Sequence, residues 1–444
     1  MRHALGRLPG MAAMMMGTIA GAAMASTVAQ TAGPPAATPS TPVASTPPAT
    51  DANWTALLDG LRDLPEKILA KLPPEQRDDP HIRAEANRLA LSALTGAAID
   101  ALASDADHPV FVPQINVYLT IGQPNADTNY RSATITPGGT YRLRGRRGSM
   151  RMVRIAESGP RPPQTGGTVN LGPPRPVHDL NALKADAQGR YDVILSPKRP
   201  DGYAGDWWPL DPTTNRLLVR MVGSDWGKEV EPTLSIERID IPAPRPRLLP
   251  DLLAARLKAL PAAATFIAPL LAGQPGKLRN QGPVNTLRAA DFSTQGGLTG
   301  QFYYEGAYAL KDDEALIVEA PLPARCLYRS LLLTNDLYET TDWYNNQSSL
   351  NDAQASADRD GILRIVVSAK DPGVPNWLDT AGHATGVIQG RWTECSAQPV
   401  PTIRKVALAD VRKSLPSGTP TISPQARDRV IRDRRAALQQ RPLW

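Results

Sequence analysis

The chain has 444 residues, 41% of them hydrophobic, with 44 prolines and a formal net charge of +6. That length allows about two to three domains, and a proline share about twice the usual one favours short strands and fixed turns over long helices. Six arginines (427, 429, 432, 434, 435 and 441) against Asp428 and Asp433 place the basic excess in the last residues. This distribution excludes the broad basic face that nucleic-acid binding requires.

The first residues have the pattern of a secretory signal. Arg2 and Arg7 are followed by an apolar small-residue segment, Met11 to Met24, and by an A-x-A cleavage pattern at Ala23-Met24-Ala25. The segment is shorter than the roughly 20 apolar residues of a membrane span, and no later stretch is expected to cross a bilayer. The expectation is an exported, soluble protein, periplasmic or extracellular, without a transmembrane segment. Residues 26–50 are rich in Pro, Ala and Thr and have no apolar period, as in a disordered linker.

A helical segment is expected over 51–107. Trp54, Leu57, Leu58 and Leu61 follow a helical period, and Asp79-Pro80 forms an N-cap and first-turn pair before a second apolar run. From Pro109 the period changes to two. Strands are expected at Ile115 to Leu119, up to Ile135, at Thr140 to Gly145, Met150 to Ile155, Tyr191 to Leu195, Arg216 to Val222 and Thr233 to Ile241. They compose an N-terminal β domain over 108–245. A connector over 246–285 contains a helix or helix pair, Asp251 to Leu271, interrupted at Pro261. A second β domain over 286–422 is followed by a basic helix, 423–444, capped by Ser423-Pro424.

Several strings resemble one bacterial family: Asn125 to Tyr130 (NADTNY), Tyr141 to Gly148 (YRLRGRRG), Asp313 to Val318 (DEALIV), Asp371 to Thr380 (DPGVPNWLDT) and Gly386 to Trp392. Together they resemble the domain-of-unknown-function family numbered twelve-fourteen, often found with its partner family, twelve-fifty-four. The resemblance spans roughly Pro109 to Gln440. It implies a jelly-roll-like C-terminal β domain preceded by a smaller β domain, and no established activity. The chain departs from the family pattern at Tyr328, where the family has tryptophan, beside Cys326. The expected fold is therefore mainly β: two antiparallel β domains, the second jelly-roll-like, with an N-terminal helical segment and a C-terminal helix.

Candidate chemistry is sparse. Asp379 and His383 lie four residues apart on a Gly-flanked loop, where an aspartate would orient a histidine as general base; loop capping by Asp379 and packing of His383 is the alternative. Asn125, Asp127, Asn129 and Tyr130 crowd one loop and suit either a ligand rim or Asx turns. Asn376, Trp377 and Arg391 complete the candidate ligand set, with Arg391 suited to an anionic group. Arg142, Arg144, Arg146, Arg147, Arg151 and Arg154 line two successive strands as an anion receptor or a solvated face. Cys326 and Cys395 suggest one disulfide in an oxidising compartment, two buried thiols being the alternative. No metal or cofactor is expected: Asp358, Asp360 and Asp371 sit where turn chemistry accounts for them, and two cysteines with five scattered histidines make no zinc site.

Three functions follow. The first is an exported protein binding a small or polymeric organic ligand in the mouth of the jelly roll. The second is a hydrolase or lyase using Asp379 and His383. The third is an interaction protein whose basic tail docks on an acidic or envelope partner.

Overall fold

The computed structural model describes residues 54–442, apart from 114, 161, 163–171, 248–249 and 293–296. The leader and the linker lie outside the described residues.

Four helices come first: α1 (Trp54–Leu61), α2 (Leu64–Leu69), α3 (Pro74–Arg77) and α4 (Pro80–Ala103). Asp79 caps α4 by accepting from the backbone N–H groups of His81 and Ile82. The next eight strands are β1 (Thr128–Thr134), β2 (Tyr141–Arg146), β3 (Met152–Ser158), β4 (Val177–Asp179), β5 (Arg190–Ser196), β6 (Asp206–Pro209), β7 (Arg216–Val222) and β8 (Ser235–Arg238). They form two four-stranded sheets, β1-β7-β3-β4 and β6-β5-β2-β8. Tyr141, Leu143, Val193 and Leu195 of the second sheet pack on Val153, Ile155, Leu217 and Val219 of the first. The segment expected as a strand at Ile115 to Leu119 is instead a bend. Asn116 Oδ1 accepts from the N–H groups of Tyr118 and Leu119, which gives the backbone a local partner in place of a ladder.

Two helices separate the β bodies, α5 (Pro250–Ala272) and α6 (Gln274–Asn280). The expected interruption at Pro261 is absent, for α5 runs through both Pro261 and Pro269. At Pro261 the ring lies so close to Gly60 of α1 that a Cβ at position 60 would meet Pro261 Cβ at 2.7 Å. That glycine lets the two helices approach. By length and composition alone, Pro250–Asn280 is long and apolar enough to cross a membrane. Its Leu260, Ala264, Ile267 and Leu271 join Leu57, Ile68, Leu89 and Ala93 in a helical core.

The remaining strands are β9 (Arg288–Ala290), β10 (Gln301–Ala309), β11 (Glu314–Pro321), β12 (Cys326–Thr334), β13 (Ser349–Asn351), β14 (Ile362–Ser368), β15 (Trp377–Asp379), β16 (Thr385–Cys395) and β17 (Thr402–Ala407). They form a five-stranded sheet, β13-β12-β16-β10-β9, and a four-stranded sheet, β15-β14-β11-β17. Leu331, Leu333, Ile388 and Trp392 face Leu316, Val318, Ile365 and Val367 across a second apolar interior. Gly390 is required there: the Tyr304 ring from the paired strand occupies the space that a Cβ would take. After a single turn, α7 (Val411–Ser414), the chain ends in α8 (Pro424–Gln439). The fold is thus mainly β, in four sheets, with helices at both ends.

Candidate functional site

Two of the four sheets are covered on both faces. All seven residues of β7 are buried, with Leu217, Val219 and Met221 in the N-terminal interior. Alternation turns Leu218, Arg220 and Val222 the other way, and Leu218 meets Tyr303, Ala307 and Val387 of the C-terminal body. In β16, Ile388 and Trp392 point into the C-terminal interior, which sends Gln389, Arg391 and Thr393 to the opposite face. The two sandwiches therefore meet along a seam between β1-β7-β3 and β12-β16-β10.

The seam is polar. Tyr130 pairs with Arg220 across β1 and β7, while Tyr303 pairs with Arg391, and Glu305 with Gln389, across β10 and β16. The Arg391 guanidinium lies over the Tyr303 ring, 5.7 Å from its centroid, and donates to Gln389 Oε1. Gln389 in turn donates to Gln123, a residue with positive φ of 59°. Tyr338 donates to Glu305 Oε2 at 2.9 Å. Burial raises the Glu305 carboxyl from 4.5 to about 7, against the lowering effect of the Tyr338 and Gln389 hydrogen bonds and of Arg391 and Arg288. Burial lowers Arg220 and raises the Tyr130 phenol. Two buried donors, Arg391 Nε and Gln123 Nε2, have no acceptor.

A cavity of about 560 Å³ opens at one end of this seam. Arg220 and Tyr303 form part of its wall, with Leu218, Leu298, Phe292 and Phe302. Phe292 meets Tyr303 edge-on at 4.6 Å. Of the two acids on the wall, Asp291 is exposed. The other, Glu157, is engaged by His178 at 2.8 Å, the Thr214 hydroxyl at 2.5 Å and the Asp211 N–H at 3.0 Å. His178 stacks on Trp208. An apolar chamber with a cationic inner wall is suited to holding an organic molecule with a polar end.

The residues singled out from the sequence fall elsewhere, with two exceptions. Tyr130 and Arg391 belong to the seam. Asn125 and Asp127 lock it from the side: the Tyr328 hydroxyl donates to Asp127 at 2.6 Å, and the Trp226 indole and Asn351 amide donate to the same carboxylate. Asn125 also donates to Tyr328 at 2.9 Å. Burial raises the Asp127 carboxyl. Asn129 donates to Glu231. Asn376 donates to the carbonyls of Ser356 and Arg364, and the Trp377 indole donates to Ser368, so both pin strands. The structure does not pair Asp379 with His383. Asp379 accepts from the Ala381 N–H at 2.8 Å, while His383 Nε2 lies 3.5 Å from Glu85 of α4. Burial lowers His383 and raises Glu85 to about 7.

Cys326 and Cys395 are directly opposite in the β12–β16 ladder and form a disulfide. Arg142 pairs with Asp192 and Arg144 with Glu237. Arg151 and Arg154 cross to Asp352 and Glu394 of the other sandwich. Asp358 and Asp360 hold Arg364, and Asp371 holds Arg427. Among the described residues no group of three or more His, Cys, Asp or Glu is placed to hold a metal. In the tail, Arg427, Arg434 and Arg441 are buried, Arg434 over Trp226 at 4.7 Å, whereas Arg429 and Arg432 point outward.

Sequence reasoning missed Gln123, Arg220, Glu305, Tyr338 and Gln389. The available signal was the alternation in β16 of Val387, Gln389, Arg391 and Thr393 with Ile388, Gly390 and Trp392. Alternation alone cannot tell a solvated face from one covered by a second body.

No family model matches the chain, and no curated protein does. Among solved structures it is similar to an uncharacterized protein from Burkholderia cenocepacia, at 30% identity and a TM-score of 0.72, over 81% of this chain and 97% of that one. A second likeness, to the VPA0106 protein from Vibrio parahaemolyticus, has 12% identity and a TM-score of 0.41, over 78% of this chain and 100% of that one. At 30% identity over 97% of its length, the Burkholderia cenocepacia protein shows the family, and this chain belongs to it.

Proposed function

We propose that this is an exported protein that binds a small organic ligand in the cavity between its two β bodies. The observation that carries this reading is the seam itself. Arg220, Arg391 and Glu305 are removed from water where apolar packing would hold the sandwiches together more cheaply, and buried ionisable groups beside a cavity are a signature of binding sites. Motifs in the sequence add two further elements. The signal-like leader supports export, and the NADTNY and DPGVPNWLDT strings support membership of family twelve-fourteen, with its jelly-roll-like connectivity in the C-terminal body. The ligand site lies at the seam rather than at the Asn376–Trp377 loop, since those two side chains are occupied in strand-to-loop bonds.

A thermal-shift screen of residues 26–444 against aromatic acids, fatty acids, sugars and sterols tests the proposal. A ligand at about 100 times its Kd stabilises the native state by about 2.7 kcal/mol. The expected result is a saturable rise in Tm that Ala290→Trp, a substitution on the cavity wall, removes. A hit that survives this substitution would move the site elsewhere.

A further inference from the structure

We propose that the outer face of the β6-β5-β2-β8 sheet is a second binding site, for an acidic polysaccharide: a sugar polymer carrying carboxylate or sulfate groups. This face shares no lining residue with the cavity at the seam, so its ligand is independent of the one proposed there.

Leu143 and Val193 turn into the N-terminal interior, which sends Arg142, Arg144 and Arg146 of β2 and Asp192 of β5 to the outside. A cleft of about 1020 Å³ lies along that face, lined also by the segments 184–186 and 203–206. Its volume is at the upper end of small-ligand pockets, about 300–1,000 Å³. Arg144, Arg146, Lys184 and Arg190 in it are exposed, so it suits a stretch of an extended chain better than an enclosed molecule. The three β2 arginines recur at every second residue and form a row about 14 Å long, at about 3.4 Å per residue.

The charges in the cleft do not cancel. Arg142 pairs with Asp192, Arg144 with Glu237 and Arg190 with Asp186. Arg146 and Lys184 have no ion pair and no side-chain hydrogen bond among the described residues, and Asp206 is the one further acid on the wall. Arg146 also lies directly opposite Arg190 in the β2–β5 ladder. Like charges so placed are destabilising, and a bound anionic group relieves them. The acids in the cleft then choose between anions. A polyphosphate offers only acceptors and is repelled by Asp186, Asp192 and Asp206. Sugar hydroxyls donate as well as accept, so a carbohydrate uses the arginine–carboxylate pairs while its acidic groups take Arg146 and Lys184. Tyr203 adds an aromatic ring to the wall, against which the C–H face of a sugar packs.

The test uses polygalacturonate and dextran sulfate as probes. Methyl-esterified polygalacturonate and dextran are their neutral counterparts, and poly-glutamate is an acidic polymer without sugar. Calorimetric titration at about 150 mM salt should give, for at least one acidic polysaccharide, a Kd at least tenfold lower than for its neutral counterpart and for poly-glutamate. The preferred probe identifies the acidic group as carboxylate or sulfate. Arg146→Glu combined with Lys184→Glu should weaken that binding at least tenfold. Its Tm should be no lower than the wild type's, because both side chains are exposed and the reversed charge at 146 faces Arg190. Should the double variant fold poorly, Arg146→Gln alone carries the test. Ala290→Trp on the seam cavity, and Arg429→Gln with Arg432→Gln on the tail, should leave the affinity unchanged. Equal affinity for poly-glutamate would overturn the sugar class, and equal affinity for the neutral polymers would overturn the acidic one. Binding that survives the cleft variants, or that is lost in the tail variant instead, would refute this face as the site. A protein that binds neither acidic polysaccharide would overturn the proposal altogether.

Discussion

Arg391 and Trp392 are neighbours in β16, both 1% exposed, and they face opposite ways. Trp392 completes the dry interior of the C-terminal sandwich with Tyr304 and Ile388, whereas Arg391 enters the seam beside Tyr303. The same strand, with the same period and equal burial, thus serves two physical purposes. The dry face gains free energy from every methylene it hides. The seam face desolvates a guanidinium and a carboxylate and recovers that cost only through specific partners. Burial by itself therefore says nothing about purpose. What a buried side chain does for the protein depends on whether its environment would have been served as well by leucine.

Substitutions on the two faces should separate stability from binding. On the dry face Trp392→Ala removes the largest fully buried side chain and should cost about 4 kcal/mol, seen as a lower urea midpoint without a change in ligand preference. Replacing both Cys326 and Cys395 by Ser frees a loop whose ends are 69 residues apart and should cost about 3 kcal/mol. Intact-mass analysis of the unreduced, alkylated protein checks the bridge directly. In the seam, Glu305→Gln changes the pH profile. The native carboxyl, raised from 4.5 to about 7, holds its proton to higher pH than the unfolded one. Wild-type stability therefore falls as pH rises from about 4.5 through 7, by an amount on the order of 3 kcal/mol. Glu305→Gln should remove that contribution, leaving the share due to Glu85, and flatten Tm between pH 5 and 8. The charged and polar groups facing Glu305 are Tyr338, Gln389, Arg391 and Arg288. Arg391→Met should change stability by only about 1 kcal/mol, because the relief of a desolvated charge is offset by the acceptor left bare on Gln389. His383→Ala should leave the affinity for any ligand found in the thermal-shift screen unchanged, and a loss of binding there would return the loop to candidacy.

The contrast also explains what was legible in the sequence. Elements with local chemistry were plain: the Asp79 cap of α4, the strands β2, β3, β5 and β7, and the Ser423 cap of α8. Ile115 to Leu119 failed because an Asx hydrogen bond outcompeted strand propensity. Pro261 misled because the helix continues where the proline ring has Gly60 to pack on. The candidate site failed for a different reason. Tyr130 and Arg391 were singled out for their neighbours in sequence, whereas the seam is assembled from side chains as distant as Gln123 and Gln389, joined only when one sandwich covers the other. Asp379 and His383 were close in sequence but are not bonded to each other, since α4 brings Glu85 to the histidine.

The C-terminal segment carries a consequence for the order of assembly. Arg427 is held by Asp371 in the C-terminal body, whereas Arg441 reaches Glu231 and Arg131 donates to the Pro442 carbonyl in the N-terminal body. These ties involve residues that follow every strand of both sandwiches in the chain. Each sandwich has its own interior and its strands are complete long before then, so both are able to form while the chain is still growing. The fastening that spans them is made only once the final turn of α8 is free. Until that moment the seam is held without its clasp, and a ribosome-bound chain would keep its halves ajar.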